Sequence, residues 1–219
     1  MAKIENAKGR DPSTGPSGYE RLLGNAQVGQ LISKCQAAVI SSGNELEVIL
    51  EHALQRTDGI AIGRVNKERR IFKGIKVDAD GKTHDIGIDA VIEKQGKIKL
   101  IELKDGDVFD VKKVAGEVEA LKTVKKHLVE TGKYKEEDVS IHFCSFNQQD
   151  KDQIYRGAKG LIPKGSAMTG SELCVLLGIS SYEGLIADRR SEQPGNLDYF
   201  IRELVKIPEI KQKLKDLLK

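Results

Sequence analysis

Residues Asp89 to Lys104, DAVIEKQGKIKLIELK, constrain this chain more than any other stretch. Two apolar runs, Ala90-Val91-Ile92 and Ile98 to Leu103, flank the turn sequence Lys94-Gln95-Gly96-Lys97 and read as a β-hairpin. Strands this apolar belong in a core sheet, where a charge at the strand end needs a reason. Side chains alternate along a strand, so Glu102 and Lys104 share one face and Leu103 points to the other. Asp89 precedes Glu102 by thirteen residues, the spacing of strand, tight turn and strand, and comes alongside it when the hairpin closes. Asp105-Gly106-Asp107 breaks the strand directly after Lys104. Two carboxylates and an amine therefore converge at a sheet end, beside a loop.

That grouping suits one chemistry. Mg²⁺ takes oxygen ligands and keeps several of its waters, so one or two carboxylates can hold it and leave positions for a phosphate and an attacking water. The ion polarises the phosphate and lowers the pKa of its water. Lys104 then stands where it can deprotonate the water, orient it, or neutralise charge in the transition state; the sequence leaves the three roles open. An isolated Glu-x-Lys is commonplace on amphipathic edge strands. The apolar flanks, the Asp89 spacing and the loop beyond Lys104 lift this one above that background.

The pattern Asp89…Glu102-Leu103-Lys104 resembles the signature of the PD-(D/E)xK nuclease superfamily, with Ile88 standing where the proline would be. The run from Glu102 to Asp110 is similar to the segment after the active-site lysine in some type II restriction endonucleases, and the likeness covers roughly residues 44 to 147. It implies an α/β, restriction-endonuclease-like core: a central mixed sheet flanked by helices, with a helical C-terminal region beyond it. It implies a sequence-specific endonuclease of double-stranded DNA that uses Mg²⁺, with Mn²⁺ as a substitute, and leaves 5′-phosphates. Asp89, Glu102 and the Leu103 carbonyl are the implied metal ligands, and Lys104 the group beside the water. A homodimer and a cognate DNA methyltransferase, a functional rather than physical partner, belong to the same expectation. The alternatives are a junction-resolving or repair nuclease, and a non-catalytic DNA-binding module on the same fold.

Along the chain, residues 1–18 are polar and rich in Gly, Pro and Ser, and read as a flexible arm. Residues 19–219 read as one nuclease domain, with a core over about 44–147 and a helical elaboration over 148–219. Apolar spacing predicts helices over 19–40 and 45–56, separated by a stop at Ser41-Ser42-Gly43-Asn44. Strands are expected over 70–77, 84–93 and 97–103, then a helix over 111–130 with a stripe of Val118, Leu121, Val124 and Leu128. A fourth strand over 139–146 is expected parallel to the third. Further helices are expected over 149–156, 170–177, 196–205 and 207–218.

No apolar run reaches the length of a membrane span and no secretory leader is evident, so a cytoplasmic location is expected. Cys35, Cys144 and Cys174 are scattered among apolar neighbours and read as reduced thiols. Net charge is only +3, which permits nucleic-acid binding without arguing for it.

Other residues compete for roles. Glu47 borders the buried stripe of its helix and is a candidate for the metal site; an acidic residue at a helix N-terminus is the plainer reading. Asp85 lies four residues before Asp89, about 13 Å along a strand, and cannot share its site unless the strand bends; Asp89 is favoured. Arg70 and Lys73, in a basic cluster with Lys67, Arg69 and Lys76, form either a solvated face or a phosphate contact, as do Lys112 and Lys113. Asn147, Gln148 and Gln149 leave the fourth strand, and Arg156, Lys159 and Lys164 lie in a Gly-containing segment. These six are the candidates for base reading.

Overall fold

The computed structural model describes residues 2–55, 71–77, 80–106 and 111–219. The chain groups into two compact units, Met1–Glu45 with Gly184–Lys219, and Leu46–Glu183.

The second unit carries the sheets. Strand β3 (Ala90–Lys94) pairs antiparallel with β4 (Lys97–Lys104), from Lys94 opposite Lys97 to Ala90 opposite Ile101. The two-residue turn places Gln95 at φ 52° and Gly96 at φ 75°. Positive φ at both central positions matches the right-handed twist of the flanking strands, and glycine adopts it without cost. β4 pairs parallel with β5 (Val139–Ser145), and β5 pairs parallel with β6 (Ala167–Thr169), giving the mixed order β3-β4-β5-β6. Between β4 and β5 runs helix α3 (Val111–Glu130). Its Val114, Val118, Leu121, Val124 and Leu128 are buried in one core with Ile98 and Leu100 of β4 and Val139 and Phe143 of β5. This is the mixed α/β architecture that the resemblance implies.

Beyond β5, helix α4 (Lys151–Gly157) is capped by Asp150, whose carboxylate accepts from the Asp152 and Gln153 amides. Helix α5 (Gly170–Leu176) starts at a capping box of Thr169 and Glu172. Gly170 has no room for a side chain: a Cβ there would stand 2.0 Å from the Phe146 carbonyl oxygen. The Tyr182 hydroxyl donates to that same oxygen at 2.9 Å, so the exit of β5 is gripped from two sides.

The structure differs from the sequence expectation in three ways. First, the second strand is two. Thr83–Gly87 (β2) pairs with Ile71–Val77 (β1) in a separate antiparallel ribbon, and Ile88-Asp89 joins it to β3. Second, the stop at 41–44 does not occur. Preceded by the short α1 (Gly18–Leu23), α2 runs unbroken from Ala26 to Gln55. Ser42 turns its hydroxyl back onto the Ala38 carbonyl at 3.0 Å, so a residue that often ends helices is satisfied inside one. Third, β6 and the helix Tyr182–Arg190 (α6) had no sequence counterpart.

The first unit is helical. Helices α7 (Gln193–Lys206) and α8 (Pro208–Leu217) come after α6. Residues 4–6 and 12–14 form short 3₁₀ turns. Asn196 of α7 bridges the N-terminal segment, accepting from the Ile4 amide at 2.8 Å and donating to the Ala2 carbonyl at 3.0 Å. Arg189 is buried and donates to the Ser42 carbonyl at 3.1 Å. Among the described residues no helix is long and apolar enough to cross a membrane. Cys144 and Cys174 are buried and Cys35 is partly exposed; all three are free thiols.

Candidate active site

The hairpin register sets the site. Ala90 stands opposite Ile101, so Asp89, one residue earlier, arrives at the level of Glu102. Asp89 accepts a hydrogen bond from the Leu103 amide through Oδ2 at 2.9 Å, which fastens the β2–β3 joint onto the end of β4. The β3–β4 ladder ends at Ala90 opposite Ile101, so the Leu103 amide beyond it is satisfied by the Asp89 side chain.

Glu102 and Lys104 share a face, as alternation requires. The Lys104 ammonium donates to Glu102 Oε1 at 2.6 Å. It also donates at 2.9 Å to Oε1 of Glu117, a residue of α3. The side chains of Glu102 and Glu117 are only 12% and 18% exposed, so this is an ion-paired cluster largely withdrawn from water. Withdrawal strengthens each charge–charge contact and makes each unbalanced charge costly. Burial first, and then the adjacent Asp89 carboxylate, push the Glu102 carboxyl up to about 8, against the opposing pull of Lys104. Burial alone would lower the Lys104 ammonium, but its bonds to Glu102 and Glu117 outweigh that and hold it above its ordinary value.

Do these residues fit a divalent ion? Among the described residues no three His, Cys, Asp or Glu side chains converge into a ready cage. The donors on hand are the carboxylates of Asp89 and Glu102; burial first, and then the Asp89 charge, raise the Glu102 carboxyl. Paired carboxylates whose like charges resist coexistence are relieved by a cation between them. A hard ion that keeps most of its waters needs no more than that pair. Such oxygen donors suit a hard divalent cation and suit poorly a soft metal that prefers sulfur or imidazole.

The other expected residues scatter. Glu47 lies near the C-terminal part of α2, half-buried, with Oε2 shielded from solvent. Asp85 is exposed on the β1–β2 ribbon, where Oδ1 accepts from the Gly74 amide at 2.9 Å; it belongs to a different sheet from Glu102. Lys73 is exposed on β1, and Lys112 and Lys113 are exposed in the first turn of α3. Arg70, with Lys67 and Arg69, lies outside the described residues, as does the run 107–110 after the strand break. Asn147 donates through Nδ2 to the backbone oxygen and to Oδ1 of Asp105, tying the exit of β5 to the loop after Lys104. Gln148 folds onto its own turn, its Oε1 accepting from the Gln149 and Asp150 amides, each at 3.0 Å. Gln149, Arg156, Lys159 and Lys164 are exposed, with Lys159 at φ 50° in the turn after α4.

Glu117 is the member of the cluster that sequence reasoning missed. A signal was present. Val114, Glu117, Val118 and Leu121 keep helical spacing, so Glu117 is a charge on the buried stripe of α3.

Against known proteins, the chain is 38% identical over 231 aligned residues to the type II restriction enzyme HhaII of Haemophilus parahaemolyticus, covering 98% of this chain and 99% of that one. No protein-family model matches. Among solved structures, the small subunit of the heterodimeric restriction endonuclease R.BspD6I aligns with 73% of this chain and 89% of its own, at 15% identity and a TM-score of 0.34. A likeness that slight carries no weight for fold or function. The full-length relative does.

Proposed function

This chain belongs to the type II restriction enzymes, sequence-specific endonucleases of double-stranded DNA, and from that membership we propose that it cuts with Mg²⁺ held by Asp89 and Glu102. Members of the family use a divalent ion; the identity of the ion and the residues that hold it are the proposal. When bound, Mg²⁺ supplies a polarised phosphate and a water of lowered pKa. Asp89 and Glu102 fix its place at the end of β4, with the Leu103 carbonyl as a further oxygen donor. Lys104 brings a fixed positive charge beside them, where it orients the water and offsets charge developing on the phosphate. The products carry 5′-phosphates and 3′-hydroxyls.

One observation carries this reading: Asp89, Glu102 and Lys104 come together at the end of a buried strand, with Asp89 locked to Leu103 and Lys104 locked to Glu102. A chance Glu-x-Lys on an edge strand has no reason to bury its pair or to recruit an aspartate from the joint before the neighbouring strand.

Lys73, Lys112, Lys113, Arg156, Lys159 and Lys164 are exposed cations, and contacts between such groups and the DNA backbone give salt-dependent affinity. One such active site cuts one strand, so two copies of the chain acting as a homodimer serve both strands of a two-fold-symmetric target. A methyltransferase of the same specificity protects the host's own copies of that target in the cytoplasm.

Digestion of unmethylated phage DNA by the purified protein tests the reading. Discrete bands that need Mg²⁺ and disappear in Lys104→Ala support it, and Mn²⁺ restores them in place of Mg²⁺. Intact DNA across metals and salts would sink it. Light scattering with and without target DNA tests the dimer.

A further inference from the structure

Glu102 has two claims on one carboxylate. In the structure its Oε1 holds the Lys104 ammonium at 2.6 Å; in the proposed reaction the same carboxylate holds a divalent cation. Two positive groups drawn to one carboxylate repel each other, strongly so where water is scarce. Unless something else restrains it, Lys104 leaves as the cation arrives.

The second restraint is Glu117. It reaches Lys104 from α3, not from the strand, and so does not depend on where Glu102 points. Val114, Val118 and Leu121, its neighbours on the helix, are buried against the sheet and fix the helix in place. Its Oε1 accepts from the ammonium at 2.9 Å, and its buried Oε2 has no hydrogen-bond partner among the described residues. An ammonium has three donors, so Glu117 can take a second of them when Glu102 lets go.

We propose that Glu117 is a positioning residue that keeps the Lys104 ammonium at the end of β4 when Glu102 turns its carboxylate to the divalent ion. The proposal rests on the metal reading above. Glu117 acts through Lys104 and is not itself a ligand of the ion.

The test uses the full-length protein labelled with ¹⁵N-lysine, with the ammonium signal of Lys104 identified by its loss in Lys104→Ala. In wild type a slowly exchanging signal persists at saturating Mg²⁺. In Glu117→Ala it is present without Mg²⁺, held by Glu102, and vanishes when Mg²⁺ is added; in Glu117→Gln, which keeps an acceptor oxygen, it is weakened. Persistence of the signal in Glu117→Ala with Mg²⁺ bound would overturn the proposal.

Kinetics give a second arm. Single-turnover cleavage by Glu117→Ala falls roughly 10- to 100-fold, the usual cost of losing a group that orients a functional side chain. DNA affinity measured in Ca²⁺ is unchanged, Glu117→Gln recovers part of the rate, and adding Glu117→Ala to Lys104→Ala slows it no further. An equal loss in both backgrounds makes Glu117 merely structural. Calorimetry with Mg²⁺ alone separates the remaining outcomes. A fall in Mg²⁺ affinity on replacing Glu117 makes it a ligand and overturns the positioning role. Absence of any Mg²⁺ heat in wild type removes the metal reading itself, and this inference with it.

Discussion

The two halves of β4 present the same face to the same helix and do opposite things. In the first half Ile98 and Leu100 are buried, and α3 answers them with Val118, Leu121 and Val124. In the second half Glu102 and Lys104 continue the alternation, and α3 answers them with Glu117. The backbone does not distinguish the halves: β5 pairs with β4 in one parallel register from Ile98 to Lys104. The difference is therefore chemical. Apolar contacts release water and stabilise the fold; the charged contacts sit in the same partly dry layer at a cost, held by mutual pairing. One strand thus serves as both scaffold and site, and the apolar half makes the charged half rigid enough to be useful.

The largest expected effect lies at the charged end. Glu102→Gln keeps the shape of the side chain and removes its charge. Single-turnover cleavage falls by about 10³-fold or more, the scale of losing a group that acts on the reacting centre. The thermal midpoint, by contrast, stays level or rises, because a carboxyl pushed up by burial and by Asp89 is replaced with a neutral group. Circular dichroism melts beside cleavage assays read both quantities. A large drop in stability with cleavage preserved would erase the distinction between the two halves.

The apolar end gives the inverse result. Leu100 is fully buried, and Leu100→Ala leaves a cavity under α3 that costs about 3 kcal/mol, within the usual span for such truncations. Urea unfolding measures it. Protein that remains folded still cuts the same sites, since no group of the Asp89–Glu102–Lys104 cluster has been touched. An altered banding pattern in Leu100→Ala would mean that packing in the first half controls more than the rigidity of the second.

The contrast between the halves also separates the contacts legible in the sequence from those that were not. Strand alternation and a Gln-Gly turn are local, so the hairpin, its register and the meeting of Asp89 with Glu102 could be read directly. Glu117 could not be paired with Lys104 from sequence, because that contact depends on how α3 lies over β4. The helix pattern showed only that a charge had entered a buried stripe. Elsewhere tertiary structure overrode local preference. Ser41-Ser42-Gly43-Asn44 favours a turn, yet α2 continues through it with Leu46 and Leu50 buried beyond. The break at Ile88-Asp89 was equally hidden, since the residues on both sides read as strand. β6 is three residues long, too short for any period to show.

Charge on the opposite face of these strands sharpens the contrast. His142, paired with Ile101 in register, points away from the layer of Glu102, and its ring lies near Ser140 and Lys99. Burial first, then Lys99, with Lys151 adding to them and Glu172 opposing, lowers its pKa from 6.5 to about 4. A folded pKa below the unfolded one favours the neutral ring in the native state. The contribution to stability is therefore intact above pH 6.5 and is lost as pH falls through that value toward 4. The loss is on the order of 2 to 3 kcal/mol. Urea midpoints for wild type and His142→Gln between pH 7.5 and 4 test it. The two curves converge at the acid end, because glutamine has no proton to take up. Parallel curves would show that His142 gives the fold no such acid sensitivity.

The smallest expected effect concerns the loop at the charged end. Asn147 ties the exit of β5 to Asp105, the residue after Lys104, through bonds to both its backbone and its carboxylate. Asn147→Ala removes that tie at a cost of about 1 kcal/mol, the net worth of a typical hydrogen bond. Cleavage slows by about as little, since Lys104 keeps Glu102 and Glu117. The sequence also makes Asn147 a candidate for reading adenine, and the two roles part on one readout. A residue that fastens the loop leaves the set of cut sites unchanged, whereas one that reads a base relaxes discrimination at a single position of the target. With its amide already engaged by Asp105, we expect the banding pattern of Asn147→Ala to match wild type. Extra bands would move Asn147 from the support of the site to its specificity, and would place DNA recognition directly beside the charged half of β4.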